Sequence, residues 1–342
     1  MLPRVRTSDF DYDLPAELVA QVPAEPRDAA RLLLVAGEPG LLSHHYVRDL
    51  PGLLRRGDLL VLNDTRVMAA RLIGERVDTG GRVELLLLRE QDDCVWSALM
   101  RPARAAAAGR GLRFLANDGE LRASVVRRLG EAVVVRFDRP IDPSTVGTLP
   151  LPPYIRDFGG DPDRYQTVFA RDARSAAAPT AGLHFTPALF SRLSEAGIEQ
   201  AFLTLEVGPA TFRPVRSEDP AEHELDPERY RLPAATAQAI HAARADGRRV
   251  VAVGTTVVRA LEHAFGGSSG DKAEGATDLF IRPGYEFGVV DALLTNFHLP
   301  RSTLLMLVSA FAGQEVMRAA YAEAVRERYR FYSFGDAMLL VP

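Results

Sequence analysis

The chain has 342 residues, enough for two domains, with 47% apolar residues, 25% charged residues and a formal net charge of −4. That balance excludes a general electrostatic coat for nucleic acid, so any such contact has to be local. The longest apolar run, residues 304–308, is far short of the roughly 20 residues that span a bilayer. The N-terminus shows no signal-peptide pattern, and a cytoplasmic protein is expected. Cys94 is the only cysteine and cannot form an internal disulfide; in Cys94-Val-Trp-Ser97 it reads as a buried thiol within a strand. Lys272 is the only lysine and lies beside the Gly/Ser stretch 266–270, a poor place for a Schiff base. No Gly-Lys-Ser/Thr phosphate loop occurs.

In chain order, residues 9–26 read as a turn and a short helix broken by Pro23 and Pro26. Apolar strands are predicted at 31–35 and 59–62, the second ending in Asn63-Asp-Thr-Arg66. Polar residues at the end of a buried strand are where ligand groups commonly sit in mixed α/β sheets. A turn built on Asn and Asp is an equally good account of the same four residues. From about 67 to 149 the pattern changes to short alternating runs at 70–75, 82–88, 95–100, 112–115, 121–126 and 132–137. Turn residues Thr79-Gly-Gly81, Asn117-Asp-Gly119 and Gly130 separate them, and the spacing predicts a small antiparallel barrel. Between 98 and 139 nine arginines stand against four acids, an excess of five positive charges. It reads either as a solvated face or as a patch for phosphates.

Pro150-Leu-Pro-Pro-Tyr-Ile155 then reads as an extended linker. The stretch 175–187 is a loop of small residues with Pro179, Thr180 and Gly182, carrying His184 and Phe185. Thr186 is a predicted N-cap and Pro187 a first helical residue; Leu189, Phe190 and Leu193 keep the apolar period, and Gly197 supplies the stop. A helix N-terminus suits a carboxylate or phosphate, whereas the plainer account is a tight turn with a buried histidine. A strand follows over 199–207 with Thr204 and Glu206, then a helix over 234–246 and a strand over 248–253. Gly254-Thr-Thr256 leads into a helix over 257–264, a turn that fits either an anion cradle or a structural cap. Strands at 278–282 and 289–295 are predicted next, then Asn296-Phe-His-Leu-Pro300 and a second N-cap at Ser302. Helices near 303–312 and 314–328, the segment 329–336 and a strand over 337–341 complete the pattern. Helices alternating with strands on both sides of a β-only stretch predict an α/β fold. The expected main domain has a mixed sheet and comprises 1–66 and 150–342; the inserted small antiparallel β-barrel occupies 67–149.

Eight blocks, taken together, carry a resemblance. They are Phe10-Asp-Tyr-Asp-Leu-Pro15, Asn63-Asp-Thr-Arg66, Pro150-Leu-Pro-Pro-Tyr-Ile155, Tyr165-Gln-Thr-Val-Phe169, Ala177-Ala-Pro-Thr-Ala-Gly-Leu-His-Phe185, Val253-Gly-Thr-Thr256, Asp291-Ala-Leu-Leu-Thr-Asn-Phe-His-Leu-Pro300 and Tyr329-Arg-Phe-Tyr-Ser-Phe-Gly-Asp-Ala-Met338. In this order they resemble the S-adenosylmethionine:tRNA ribosyltransferase-isomerase family of queuosine biosynthesis. The resemblance implies an α/β domain with an inserted barrel and a reaction in which S-adenosylmethionine donates its ribosyl group rather than its methyl group. The implied acceptor is 7-aminomethyl-7-deazaguanine at the tRNA wobble position, and the implied products are epoxyqueuosine-tRNA, adenine and methionine. S-adenosylmethionine is then a co-substrate, and neither a metal nor another cofactor is implied. The partners expected are S-adenosylmethionine and tRNA, with no membrane, and the protein is expected to be a monomer.

That chemistry needs a base beside the sulfonium, a proton donor for departing adenine, and groups that hold the amino-acid carboxylate. Within the resemblance, His184 or Glu206 is the expected base, and Asp64 and Arg66 handle the ribose or the carboxylate. Thr180, Phe185, Thr255 and Thr256 are expected to line the donor pocket, and Asn296, His298 and Asp336 to close it. The sequence departs from the family pattern Thr-Leu-His-Val-Gly-x-Gly-Thr-Phe, reading Thr204-Leu-Glu-Val-Gly-Pro-Ala-Thr-Phe212. A later His-x-Met-His pattern is here His223-Glu-Leu-Asp226, with Glu228 and Tyr230 following. Ribosyl transfer to a small-molecule acceptor and a non-catalytic RNA-binding relative are the competing expectations.

Overall fold

The structure, a computed structural model, describes residues 5–37, 41–116, 119–156, 158–208, 215–266 and 272–342. In chain order the strands are β1 (Arg31–Ala36), β2 (Leu41–Tyr46), β3 (Leu59–Asn63), β4 (Arg66–Val67), β5 (Arg71–Arg76), β6 (Arg82–Asp92), β7 (Val95–Arg101), β8 (Gly111–Ala116), β9 (Gly119–Leu129) and β10 (Ala132–Phe137). They continue as β11 (Ala173–Ser175), β12 (Glu199–Leu205), β13 (Glu228–Arg231), β14 (Val250–Val253), β15 (Glu274–Thr277), β16 (Ala292–Asn296) and β17 (Ala337–Val341). The helices are α1 (Leu50–Leu53), α2 (Pro143–Val146), α3 (Pro187–Glu195), α4 (Ala234–Ala245), α5 (Thr255–Phe265), α6 (Thr303–Ala312) and α7 (Gln314–Arg326). The chain divides into two compact units: residues 1–65, 153–171 and 178–342 form the larger, and 66–152 with 172–177 the smaller.

The larger unit is built on a nine-stranded sheet in the order β15-β13-β12-β3-β14-β16-β17-β1-β2. Its centre is parallel, through β12/β3, β3/β14 and β14/β16, and β17 runs parallel to β1; the remaining pairs are antiparallel. Every residue of β3, β14 and β16 is buried, as expected of strands covered on both faces. Leu60, Leu62, Val251, Val253 and Leu294 pack with Phe185, Leu189 and Leu193 in one core cluster. α3 begins as its sequence dictates: Thr186 Oγ1 accepts the Leu189 N–H at 3.1 Å, and Pro187 opens the helix. Ser302 caps α6 in the same way. The mixed sheet expected from the sequence is present.

The smaller unit is a closed antiparallel barrel in the order β10-β7-β6-β5-β8-β9, with β9 pairing back onto β10. Alternation fills its interior with Leu72, Leu85, Leu112, Phe114, Leu121 and Val135, among others. The six alternating runs of the sequence are these six strands. Residues 172–177, placed with the larger domain by the sequence pattern, cluster with the barrel instead, because β11 pairs in parallel with β4.

Several local expectations are corrected. The helix sought within 9–26 is a set of single 3-10 turns, at Thr7–Phe10 and Ala16–Leu18, with another at Arg27–Ala29. The strand expected at 278–282 lies earlier, as β15. Thr277 pairs with Glu228, and Pro227 just beyond has no N–H to continue the ladder. The strand expected over 289–295 is the shorter β16. Cys94 is not in a strand: it sits in the turn between β6 and β7 with φ of 64°, half-buried. The predicted turn residues Asn117 and Asp118, and Ala210 of the 204–212 motif, fall outside the described residues.

One charge pair is wholly inside the larger unit. Arg259 on α5 and Glu228 on β13 meet at 2.9 Å, both buried, and Glu228 Oε1 also accepts the Gly208 N–H at 2.8 Å. Removing one partner strands the other charge in a low-dielectric core, which costs about 3–5 kcal/mol. Glu228→Ala is therefore expected to lower the urea midpoint sharply with little change in m-value; an unchanged midpoint would show that Arg259 finds another partner.

Candidate active site

Parallel pairing brings the carboxyl ends of β12, β3, β14 and β16 to one edge of the sheet, the position where open α/β sheets bind ligands. The segments that leave this edge are rich in polar residues: Asn63-Asp64, Glu206 to Gly208, Gly254-Thr255-Thr256 and Asn296 to Leu299. A cavity opens there. Val207, Gly254, Thr255 and Thr256 form part of its wall, and Thr295, Asn296, Phe297, His298 and Leu299 another. Ala178 to Ala181 and Tyr154 face it too, with Ser302, Leu304, Tyr332 and Ser333. Of the expected site residues, the structure thus brings together Thr180, Thr255, Thr256, Asn296 and His298.

Gly254 has φ of 95° and serves as the N-cap of α5, with no side chain capping that end. The left-handed backbone at this position is what favours glycine; a Cβ there would make only an ordinary 3.6 Å contact with Ala181 Cβ. The N-terminus of α5 is consequently presented to the cavity with its partial positive charge.

Asn296 is held from two sides. Its Nδ2 lies 3.1 Å from the Tyr332 carbonyl and 3.2 Å from His184 Nε2. A carbonyl can only accept, so the atom facing Tyr332 is the amide nitrogen. His184 Nε2 must then accept the second N–H, and the ring proton sits on Nδ1. The buried Oδ1 of Asn296 has no partner among the described residues. His184 itself does not line the cavity. Burial, reinforced by Arg330 and Arg27, pushes its pKa down to about 3, so it is neutral and its free lone pair is already engaged. That arrangement suits a group that positions Asn296 better than one that abstracts a proton.

His298 is similarly neutral, its pKa lowered to about 3 by burial, with Nε2 3.0 Å from Thr295 Oγ1. Its main chain is held at both ends: Tyr12 O–H donates to its carbonyl at 2.5 Å, and its N–H donates to Tyr321 Oη at 2.8 Å.

Asp336 acts at one remove. Its carboxylate accepts the N–H of Arg31 at 3.0 Å and of Arg330 at 2.8 Å, closing the loop that carries Tyr332 and Ser333. Gly335 permits the closure, since a Cβ there would lie 2.5 Å from the Arg330 carbonyl. Tyr332 has φ of 72°, an unusual conformation for a large side chain, and it aims the Tyr332 carbonyl at Asn296.

The other expected residues lie elsewhere. Phe185 is in the core, stacked among Phe169 and Phe190, because the 3-10 turn Thr180–His184 directs it away from the cavity. Asp64 is buried and accepts the Thr204 hydroxyl at 2.7 Å, with Arg171 Nε at 3.6 Å. Together with Asn63, which bonds both backbone groups of Leu205, it ties the end of β3 to β12. Glu206 follows β12 with its N–H on the Arg229 carbonyl, and it is not among the residues that line the cavity. Arg66 is exposed on β4 of the smaller unit. Wall residues that the sequence pattern did not assign to the site include Val207, Leu304, Tyr154, Tyr332 and Ser333. The last three lie in the quoted sequence blocks, which is the only signal that marked them. Among the described residues no group of three His, Cys, Asp or Glu side chains is placed to hold a metal ion.

An α/β unit with a cavity at the carboxyl edge of its parallel strands belongs to the class of proteins that bind small molecules at such an edge. Comparison narrows it: the family model described as "Queuosine biosynthesis protein" matches residues 7–340, and the chain belongs to that family. It is 54% identical over 342 residues to the S-adenosylmethionine:tRNA ribosyltransferase-isomerase of Thermus thermophilus, covering 97% of this chain and 98% of that one. It is 51% identical to the protein of the same name from Symbiobacterium thermophilum, covering 98% of this chain and 100% of the other. The crystal structure of S-adenosylmethionine tRNA ribosyltransferase from Thermotoga maritima matches with a TM-score of 0.57 and 38% identity, over 98% of this chain and 100% of that one. Among the described residues no helix is long and apolar enough to cross a membrane.

The two neutral histidines make stability depend on pH. Their folded pKa values of about 3 lie below the unfolded value of about 6.5, so on acidification the unfolded chain takes up protons that the folded chain refuses. Stability is full above about pH 6.5 and falls as pH drops toward 3, by up to about 1.4 kcal/mol per pH unit for each histidine. Urea titrations from pH 7 to 5 should show this decline, and His298→Gln should make it shallower. A stability that is flat over that interval in the native chain would contradict the assigned protonation states.

Proposed function

We propose that the protein transfers and isomerises the ribosyl group of S-adenosylmethionine onto 7-aminomethyl-7-deazaguanine at the tRNA wobble position, releasing adenine and methionine. The observation that carries this reading is membership of the queuosine biosynthesis family across residues 7–340, with relatives of that name matched end to end. The geometry supports it. A cavity at the carboxyl edge of the sheet offers hydroxyls at Thr180, Thr255 and Thr256, the N-terminus of α5, and the amide of Asn296. These are groups for orienting a nucleoside rather than for redox work. Thr180, Thr255 and Thr256 are assigned to the donor pocket with Asn296 and His298; Asp336 and His184 hold those groups in place. Asp64 keeps the edge of the sheet closed beside them. S-adenosylmethionine is a co-substrate in this scheme.

The RNA side of the reaction fits the barrel. On its outer face Arg113 lies directly across from Arg122, and Arg136 lies across from Ser124, two residues along the same strand from Arg122. Like charges side by side on a sheet are unfavourable without counter-charges. Glu75 and Glu120 answer Arg113 and Arg122. Arg136 is exposed and, with both glutamates counted, leaves this row one positive charge in excess to meet a phosphate.

Incubating the protein with S-adenosylmethionine and tRNA bearing the aminomethyl base should give adenine, methionine and a matching mass gain on the RNA. Adenine without the mass gain would move the acceptor elsewhere, and no adenine would remove the enzymatic reading. Arg122→Gln with Arg136→Gln is expected to weaken tRNA binding and to reduce the salt slope by about 0.7–0.9 for each phosphate that is no longer neutralised. An unaltered slope would take this face out of the interface.

A further inference from the structure

The cavity at the sheet edge has an electrostatic character that the donor's own chemistry makes informative. Among its described lining residues there is no Asp, Glu, Lys or Arg, and its one histidine, His298, is buried and bonded to Thr295. S-adenosylmethionine is unevenly charged: the methionine end carries a carboxylate, an ammonium and the sulfonium, whereas the adenine is neutral, flat and apolar on both faces. A wall whose described residues carry no ionised side chain is costly for the first and suited to the second. Tyr154 and Tyr332, with ring centroids 4.9 Å apart and planes inclined by 56°, give that wall an aromatic surface.

One polar atom breaks the neutrality of hydrogen bonding there. Asn296 is buried, its amide nitrogen is fully used by His184 and by the Tyr332 carbonyl, and its Oδ1 has no partner among the described residues. Buried acceptors are rarely left unpaired, so such an atom asks for an N–H or O–H from a ligand. Flipping the amide would not relieve it, because an oxygen would then face the Tyr332 carbonyl. Within the donor, the ribose is the group handed to the RNA base and must stay accessible, while the leaving adenine can be enclosed.

We infer that this cavity is the adenine subsite and that Asn296 Oδ1 accepts the N–H of the 6-amino group, making Asn296 the residue that selects a 6-aminopurine. This deepens the donor assignment above and rests on it. A purine with hydrogen at C6 leaves Oδ1 buried and unpaired. A 6-oxo purine sets one oxygen against another. His184 and Tyr332 become positioning residues whose task is to keep the amide from turning.

The test is equilibrium binding of three compounds to the intact protein: S-adenosylmethionine, its 6-deamino analogue and its 6-oxo analogue, each also titrated into Asn296→Ala. The native protein is expected to favour the 6-amino compound over both others by about tenfold or more, and the variant to lose most of that preference. Equal binding of the 6-amino and 6-deamino compounds by the native protein overturns the role of Asn296 while leaving the donor assignment standing. Failure of S-adenosylmethionine to bind at all overturns the donor assignment and this inference with it. Should Asn296→Ala not fold, the comparison within the native protein still decides, because it needs no substitution.

Discussion

The contact between the Asn296 amide and the Tyr332 carbonyl governs the cavity. In net terms a neutral hydrogen bond contributes only about 1 kcal/mol, but leaving either group buried without it costs more. Here it also carries information, since it decides which end of the amide turns away from the Tyr332 carbonyl. The means of holding it are spread over the larger unit. Asp336 clamps the backbone of Arg31 and Arg330, Gly335 lets the loop close on itself, and Tyr332 takes up a left-handed conformation. His184, forced neutral by burial, supplies the acceptor for the amide's other N–H. Residues far apart in sequence thereby fix one dipole.

Among the described residues, ionised side chains do not line this cavity. Buried ionic groups in the frame of the sheet are satisfied there: Asp58 pairs with Arg249 and Glu228 with Arg259, and Glu262 accepts the N–H groups of Gly288, Val289 and Val290. Asp64 likewise turns its carboxylate to Thr204 and Arg171. Each pair satisfies a charge that would be prohibitive alone in the interior. What faces the cavity is hydroxyl, amide, aromatic ring and helix N-terminus. These groups orient a ligand without competing for its charges.

Much of this architecture can be read from local pattern. The barrel strands alternate and are separated by glycine-containing turns, so their period alone marks them. The central strands are short, wholly apolar runs followed by polar turns, which also locates Thr255, Thr256, Asn296 and His298. β2 escapes the pattern because Leu41-Leu-Ser-His-His-Tyr46 is an edge strand with a mixed, partly exposed surface. The direction of a side chain within a polar turn is harder. Phe185 follows His184 immediately, yet the 3-10 turn sends it into the core. Asp64 has a residue type and position suited to a ligand, but Thr204, 140 residues away in sequence, claims its oxygen. The positive φ of Tyr332 has no sequence signature at all, because it follows from Asp336 closing the loop.

The place of β17 has a consequence for how the molecule comes together. It is the last strand in the chain, yet it lies inside the sheet, antiparallel to β16 on one side and parallel to β1 on the other. Any chain that stops short of residue 337 leaves two hydrophobic strand edges open, and such edges recruit whatever extended backbone they meet. It also lacks half of the support for β16, whose final residue is Asn296. The barrel, by contrast, closes from pairings between strands that are near one another in sequence and does not depend on β17.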